Sequence, residues 1–360
     1  MVSKEEIIAA LASVPGPDGR TPLPDSGALS DIMISGGRVV FSITGDPAQS
    51  AKLEEMRLAA ERAVKPLAGV ETALVTLTAE RPPQPGTPSG RPSGQPARMR
   101  AGPAQARTPI VGVGRVIAVA SGKGGVGKST TAANLALALA GEGLRVGILD
   151  ADIYGPSMPR LFGLKGRPEV TEARVIRPLE AHGLKIMSMG FLVSEETAMV
   201  WRGPMVAGAV QQLLREVAWE PLDVLVVDMP PGTGDAQLTL AQSIALAGAV
   251  IVSTPQDLAL IDARRGVEMF RKVNAPILGI IENMSMFICP NCGARHDIFG
   301  HGGARREAAR IGVPFLGEIP LELALRETSD SGNPIVASQP SSPIAAAYRD
   351  IARRVKEALS

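Results

Sequence analysis

Cysteine is almost absent from this chain, which has only two in 360 residues, Cys289 and Cys292. Two thiols cannot form a disulfide framework, so the class of small disulfide-stabilised secreted proteins is excluded. The two cysteines are separated by only two residues. This spacing suggests that both thiols serve one local purpose.

An excess of charge of one sign is also missing, because 37 basic residues oppose 36 acidic ones and the net charge is +1. The overall charge therefore gives no indication of nucleic acid or an anionic membrane as a partner. Long hydrophobic runs are lacking too. The longest, residues 244–252, is far shorter than the about 20 residues of a spanning helix. The N-terminus has no apolar segment typical of a secretory signal, so we expect a cytoplasmic protein.

Residues 80–109 are rich in Pro, Gly, Ser and Ala and contain almost no large apolar side chains. Such a segment cannot bury enough surface to offset its ordering entropy, so the composition predicts a flexible linker. We interpret the five arginines as residues that keep the linker solvated. The alternative is that they tether the chain to nucleic acid. The linker divides the chain into residues 1–79 and residues 110–360.

Residues 1–79 are predicted to form a small α+β domain. Gly36 and Gly37 separate two short alternating stretches, residues 30–35 and 38–44, which indicates a hairpin. A helical pattern follows over residues 48–64, and then a strand over residues 70–77. No catalytic constellation is visible, so a docking or assisting role is expected.

Residues 110–360 alternate apolar runs with helical stretches. Because the runs are continuously hydrophobic, they predict strands that are covered on both faces, as in a parallel sheet with crossover helices. The expected fold is a doubly wound, mostly parallel α/β domain. The runs are residues 116–120, 146–149, 184–189, 224–227, 249–253, 277–281 and 314–319.

A glycine-rich loop follows the first of these strands and precedes the helical sequence TAANLALALA. Between a strand and a helix, its glycines let backbone N–H groups surround a polyphosphate at the positive end of the helix dipole. Lys128 is expected to reach the β- and γ-phosphates and Ser129 to ligate Mg²⁺. The predicted nucleotide-binding residues are Gly122, Lys123, Gly124, Gly125, Val126, Gly127, Lys128, Ser129 and Thr130.

Asp228 ends a buried strand and is followed by the sequence MPPGTGD. A carboxylate there suits the Walker B acid, which meets Mg²⁺ through water, with a mobile switch loop behind it.

The Cys289-Pro-Asn-Cys292 turn can present two thiolates to one metal centre from one side. A cluster or structural zinc usually requires four protein ligands, and an isologous dimer would supply two pairs. Two alternatives stay open. One is a dithiol redox pair, and the other is zinc with His296 as an extra ligand.

The chain resembles the Mrp/ApbC-type iron-sulfur cluster carriers, a branch of the deviant Walker A ATPases, over about residues 116–334. Six motifs carry the resemblance beside the P-loop: DADIYGPS from Asp150, WRGPM from Trp201, DMPPGTGD from Asp228, ENM from Glu282, CPNC from Cys289 and GEIP from Gly317.

The resemblance implies ATP binding, slow hydrolysis, transient carriage of a 4Fe-4S cluster on Cys289 and Cys292 of a homodimer, and transfer to apo iron-sulfur proteins. It implies that Lys123 acts on the partner's nucleotide and that Asp152 positions the attacking water, although acids at strand ends can be simple caps. It also implies that Asn283 reads the adenine edge. The front domain resembles a small assembly-associated domain, which suggests assembly scaffold proteins as partners. Trp201 and Arg202 receive no role.

A spatial-organiser or partition-type ATPase is the main rival interpretation. Such proteins need a membrane-targeting tail or a basic surface, whereas the C-terminal helix predicted over residues 343–359 carries mixed charges. A second rival is a P-loop ATPase stapled by zinc that carries no cluster. We therefore expect neither nucleic acid nor membrane as a partner.

Overall fold

The computed structural model describes residues 2–30, 32–35, 37–45, 50–70, 72–79, 109–171, 175–192 and 203–360. Apart from Pro109, the predicted linker lies outside these residues, as do Trp201 and Arg202. The chain forms two compact units, Met1–Ala106 and Arg107–Ser360.

The first unit contains helix α1 (Lys4–Leu11), strands β1 (Met33–Ser35) and β2 (Arg38–Gly45), helix α2 (Ser50–Val64) and strand β3 (Thr72–Ala79). Strands β1 and β2 form the predicted antiparallel hairpin, and β3 pairs with β2 in parallel. The sequence did not reveal α1, which begins with a capping box in which Ser3 and Glu6 each accept the other's backbone N–H. Apolar side chains of α1, β2 and α2 share one buried core.

The second unit is built on a nine-stranded sheet. Its strands are β4 (Val113–Ala120), β5 (Val146–Asp150), β6 (Leu179–Ala181), β7 (Leu184–Ser188), β8 (Leu222–Asp228), β9 (Gly248–Ser253), β10 (Ile277–Ile288), β11 (Arg295–His296) and β12 (Phe315–Leu321).

The strand order is β11-β10-β9-β4-β8-β5-β7-β6, and β12 also pairs with β10. All seven predicted strands are present, and each pairs in parallel with at least one of the others. The two short strands β6 and β11 were not predicted. Strand β6 pairs antiparallel with β7, and β11 pairs antiparallel with β10. The expected doubly wound, mostly parallel α/β fold is confirmed.

The helices of this unit are α3 (Lys128–Gly141), α4 (Met158–Leu161), α5 (Gly203–Glu216), α6 (Asp235–Ser243), α7 (Asp257–Lys272), α8 (Gly303–Ile311), α9 (Leu323–Asp330), α10 (Ile335–Ser338) and α11 (Pro343–Leu359). The α3 helix is buried along most of its length and α11 packs against it, as expected of an ordinary packing helix. In the part of the chain that the structure describes, no helix combines the length and apolarity needed to cross a bilayer.

Candidate functional site

The loop between β4 and α3 has the conformation that the glycine-rich sequence predicts. Gly127 caps α3 with a left-handed φ of 80°. A side chain at Gly122 would collide with the carbonyl oxygen of Asp262 on α7, whereas the Cβ positions of Gly124 and Gly125 face open space. The loop is thus anchored at its start and open in its middle, where backbone N–H groups can approach phosphate oxygens.

Two further hydrogen bonds fix the start of the loop. The hydroxyl of Ser121 donates to the carbonyl of Lys123 (2.8 Å). The N–H of Gly232, in the loop that follows β8, donates to the carbonyl of Ser121 (3.0 Å). The loop predicted to be a switch is therefore bonded directly to the phosphate-binding loop.

Lys128, Ser129, Asp152 and Asp228 meet at the carboxyl ends of β4, β5 and β8. The ammonium of Lys128 lies 2.6 Å from Oδ1 of Asp228 and 3.8 Å from Oδ2 of Asp152. It also lies 3.2 Å from the hydroxyl oxygen of Ser129. Lys128 and Asp228 are buried, so this pair is held away from water.

Oδ2 of Asp228 is buried and accepts no hydrogen bond from any described residue. A buried carboxylate oxygen without a donor fits the oxygen ligands that Mg²⁺ requires, and the hydroxyl of Ser129 lies beside the same lysine. Burial raises the pKa of Asp152 against the opposing influence of Lys128, and Asp228 adds to the increase.

Asp150 is an acidic residue of this cluster to which the sequence analysis gave no role. Its Oδ1 accepts the N–H of Asp152 (3.1 Å), and its Oδ2 accepts the N–H groups of Ser157 (2.8 Å) and Met158 (3.0 Å). Burial, followed by the charge of Asp228, raises the pKa of Asp150 to about 7. Asp150 therefore ties the loop after β5, which carries Asp152, to the start of α4.

Asn283 lies directly behind the phosphate-binding loop. Its amide nitrogen donates to the carbonyl of Val126 (2.8 Å), and a side chain at Gly127 would collide with this amide. Within the described chain its buried Oδ1 has no hydrogen-bond partner. The visible role of Asn283 is thus to support the loop, and its contact with adenine stays a prediction.

A cavity of about 670 Å³ opens beside the phosphate-binding loop. Its lining includes Gly127, Ser129 and Thr130 together with residues of β12 and α9. The sequence analysis noted the GEIP motif but did not predict the residues around it as part of a site. The new lining residues include Pro320, Leu321, Glu322 and Arg326.

Lys123 differs from Lys128 in its surroundings. Its side chain is partly exposed and forms no hydrogen bond or ion pair with any described residue. Its ammonium therefore has no partner in the part of the chain that the structure describes.

The two cysteines lie on the turn between β10 and β11. The N–H of Cys289 donates to the carbonyl of Ala294 (2.9 Å), and the N–H of Gly293 donates to the carbonyl of Cys289 (2.9 Å). Cys292 is exposed and Cys289 is partly exposed. Hydrogen bonds from the N–H groups of Cys292 and Asn291, together with the Cys292 side chain, lower the pKa of the Cys289 thiol. The turn is prepared to hold a thiolate.

His296, the possible extra zinc ligand, pairs across the hairpin with Phe287, and the two ring centroids are 6.3 Å apart. Among the described residues, no third His, Cys, Asp or Glu joins the two thiols in a group of ligand atoms within 4.8 Å of one another. Among the residues that the structure describes, this turn therefore offers two thiol ligands.

Comparisons with known proteins agree with this geometry. The family model described as NUBPL iron-transfer P-loop NTPase matches residues 112–356, and a model described as iron-sulfur cluster assembly protein matches residues 4–75. A protein of Pseudomonas fragi named iron-sulfur cluster carrier protein is 58% identical over 252 residues, which are 69% of this chain and 88% of the relative. A Synechocystis protein of the same name is 44% identical over 360 residues, which are 99% of this chain and 97% of the relative.

Two solved structures are also similar. A nucleotide-binding protein of Archaeoglobus fulgidus in complex with ADP, with cobalt found in the sample, has a TM-score of 0.55 and 45% identity and covers 61% of this chain and 87% of its own. The cell division ATPase MinD of Pyrococcus furiosus has a TM-score of 0.52 and 23% identity, and covers 68% and 99%. At this identity the second likeness concerns the fold alone.

Proposed function

Because the chain belongs to the family of NUBPL iron-transfer P-loop NTPases, we propose that it is an ATP-dependent carrier that transfers a 4Fe-4S cluster to apo-proteins. The observation that carries the proposal is strand β10. It contacts the phosphate-binding loop through Asn283 (2.8 Å to the carbonyl of Val126) and ends immediately before Cys289. The six residue steps from Asn283 to Cys289 span at most about 20 Å, so a single strand, irregular between Asn283 and Phe287, joins the nucleotide site to the thiols.

In this proposal the loop from Gly122 to Thr130 binds the phosphates of ATP, with Lys128 on the β- and γ-phosphates. Ser129 and Asp228 would hold Mg²⁺, which supplies positive charge to the phosphates. Binding of ATP then requires Lys128 to exchange its contact with Asp228 (2.6 Å) for phosphate oxygens. The exchange releases the Asp228 carboxylate for the cation.

Asp152 is proposed to position the attacking water. Two contacts support this role, because a carboxylate must be fixed to orient water. Oδ2 of Asp152 lies 3.8 Å from the ammonium of Lys128, and the backbone N–H of Asp152 donates to Oδ1 of Asp150 (3.1 Å). Lys123 is proposed to act in trans, on the nucleotide of a second copy. Its lack of a partner in the described part of its own subunit supports that role.

The cluster is the cargo, held by Cys289 and Cys292 of each of two subunits. The case for a homodimer is the supply of ligands: the turn brings two thiols, and among the described residues no third ligand accompanies them. The recipients would be apo iron-sulfur proteins, with assembly scaffold proteins as donors, and the cytoplasm as the compartment. Neither nucleic acid nor a membrane is part of the proposal. For the first unit, the match to an iron-sulfur cluster assembly model over residues 4–75 supports a docking role.

Anaerobic reconstitution with ferrous iron and sulfide tests the carrier role. The expected product shows the broad visible absorption of a 4Fe-4S cluster and transfers it to an apo-acceptor, and Cys289→Ala and Cys292→Ala each abolish both. Lys128→Ala is expected to retain the cluster but to transfer it at a rate that no longer responds to ATP.

Two results would contradict the carrier role. A protein that does not bind iron but binds zinc tightly at the cysteines would be an ATPase with a structural zinc site. If Lys128→Ala and Lys123→Ala leave ATP-dependent transfer unchanged, the nucleotide site does not drive the transfer.

A further inference from the structure

Three ligand-bearing side chains converge at a place that the nucleotide and cluster sites do not use. They are Glu282 on β10, Glu318 on β12 and His301, which stands just before α8. One ligand atom of each lies within 4.8 Å of the others. Glu282 and Glu318 are directly paired on adjacent parallel strands.

The two carboxylates have no ion-pair partner among the described residues. Glu282 is 0% exposed, and its oxygens accept the N–H groups of Gly302 (2.9 Å) and Ala304 (2.6 Å) at the start of α8. Oε2 of Glu318 is buried and accepts no hydrogen bond from the described residues. Two neighbouring carboxylates without an ion-pair partner repel each other, and a bound cation would relieve this repulsion.

The backbone brings an imidazole to this pair. His301 stands between Gly300 (φ 85°) and Gly302 (φ 68°), two left-handed positions that form a tight turn before α8. The guanidinium of Arg306 donates to the carbonyl of His301 (2.9 Å) and fixes the turn. This bond engages the backbone, so it leaves the imidazole nitrogens and the two carboxylates available.

From this juxtaposition we propose that Glu282, Glu318 and His301 bind a divalent transition-metal ion. One imidazole and two carboxylates form a ligand set typical of Zn²⁺, Mn²⁺ or Fe²⁺. The ion neutralises the carboxylate pair and joins β10, β12 and the start of α8. It therefore stabilises the strand that connects the phosphate-binding loop to Cys289. The site is separate from the cysteine pair and from the pair Ser129 and Asp228.

The test uses zinc as the probe and the full chain carrying Cys289→Ala and Cys292→Ala, so that thiols contribute nothing. Zinc is titrated in competition with a chromophoric chelator, without nucleotide, and the unfolding temperature is recorded with and without zinc. The expected result is one zinc ion per chain and a higher unfolding temperature with zinc. Loss of a group that merely orients a ligand weakens metal sites about 10- to 100-fold, so His301→Ala and Glu318→Gln should weaken binding at least about tenfold.

His296→Ala is the matched control, because His296 is exposed and lies outside the group. It should bind zinc as the background protein does. His301 is also exposed, so its removal should leave the fold intact, which circular dichroism and ADP affinity verify. The proposal is overturned if the background protein binds no zinc at about 100 μM. It is also overturned if His301→Ala and Glu318→Gln bind zinc as tightly as His296→Ala does.

Discussion

The ammonium of Lys128 lies 2.6 Å from Oδ1 of Asp228, which is 100 positions further along the chain. The lysine expected to bind phosphate and the acid expected to hold Mg²⁺ therefore form one buried ion pair. Three carboxylates, those of Asp150, Asp152 and Asp228, surround this single lysine. The surplus negative charge of the cluster should make its stability depend on pH.

Asp228→Asn is predicted to flatten the pH dependence of stability. Burial and Asp228 raise the pKa of Asp150 from 3.8 to about 7, so the folded protein binds more protons than the unfolded chain between these values. The free energy of unfolding should fall as the pH rises through this interval, by at most about 1.4 kcal/mol per pH unit for one group. Without the charge of Asp228, the pKa of Asp150 drops and the fall becomes shallower.

Urea unfolding followed by tryptophan emission measures this slope, because Trp201 and Trp219 both belong to the second unit. Asp223→Asn is the control, since Arg145 holds the pKa of Asp223 at about 2, below the interval. Its slope should equal that of the unmodified protein. An unchanged slope in Asp228→Asn would show that the carboxylates are not coupled.

Asn283→Ala is predicted to weaken the binding of both ATP and GTP, and any larger loss for ATP would measure the predicted contact with adenine. The amide supports the loop through the carbonyl of Val126, and a loop contact acts on phosphates that both nucleotides share. A lost hydrogen bond of about 0.5–1.5 kcal/mol corresponds to a severalfold loss of affinity. Competition with a labelled ADP measures both constants. A loss confined to ATP would instead establish that Asn283 reads the adenine base.

Two inactive variants are predicted to restore activity when they are mixed. In a mixed dimer, the Lys128→Ala subunit supplies its Lys123 to the intact phosphate-binding loop of the Lys123→Ala subunit. Random pairing makes half of the dimers mixed, each with one working site, so ATP hydrolysis should recover to about a quarter of the normal rate. Each variant alone is the control. If the mixture stays as inactive as its components, Lys123 acts within its own subunit.

Cys289 is predicted to be alkylated at lower pH than Cys292. The N–H groups of Cys292 and Asn291 stabilise the Cys289 thiolate and lower its pKa. Iodoacetamide reacts with thiolates, so the rate for the Cys292→Ala variant should rise at lower pH than the rate for Cys289→Ala. Backbone N–H groups survive both substitutions, which keeps the comparison fair. Coinciding pH profiles would mean that the turn does not favour a thiolate at Cys289.

The sequence predicted the parallel strands because continuously hydrophobic, β-branched runs are typical of strands that are buried on both faces of a sheet. The glycine-rich loop could also be predicted, since the residues that form it are consecutive in the sequence. Strands β6 and β11 were missed because they are only 3 and 2 residues long, and lack a hydrophobic pattern. The family assignment made from the motifs is confirmed by the match over residues 112–356.

Contacts between distant segments could not be predicted. The bond of Asn283 to Val126 joins residues 157 positions apart, and the strand register that pairs Glu282 with Glu318 has no signature in either segment. Asp150 was overlooked for a different reason: its hydrogen bonds to the nearby Ser157 and Met158 exist only once the loop after β5 has folded.

The central claim is that each subunit supplies half of the ligands of one shared cluster. Native mass spectrometry of anaerobically reconstituted protein tests it in one measurement. The account predicts a species of two chains that carries four irons and four sulfides, and that is lost with either Cys289→Ala or Cys292→Ala. A single chain that holds its own cluster, or a dimer with one cluster on each chain, would contradict it.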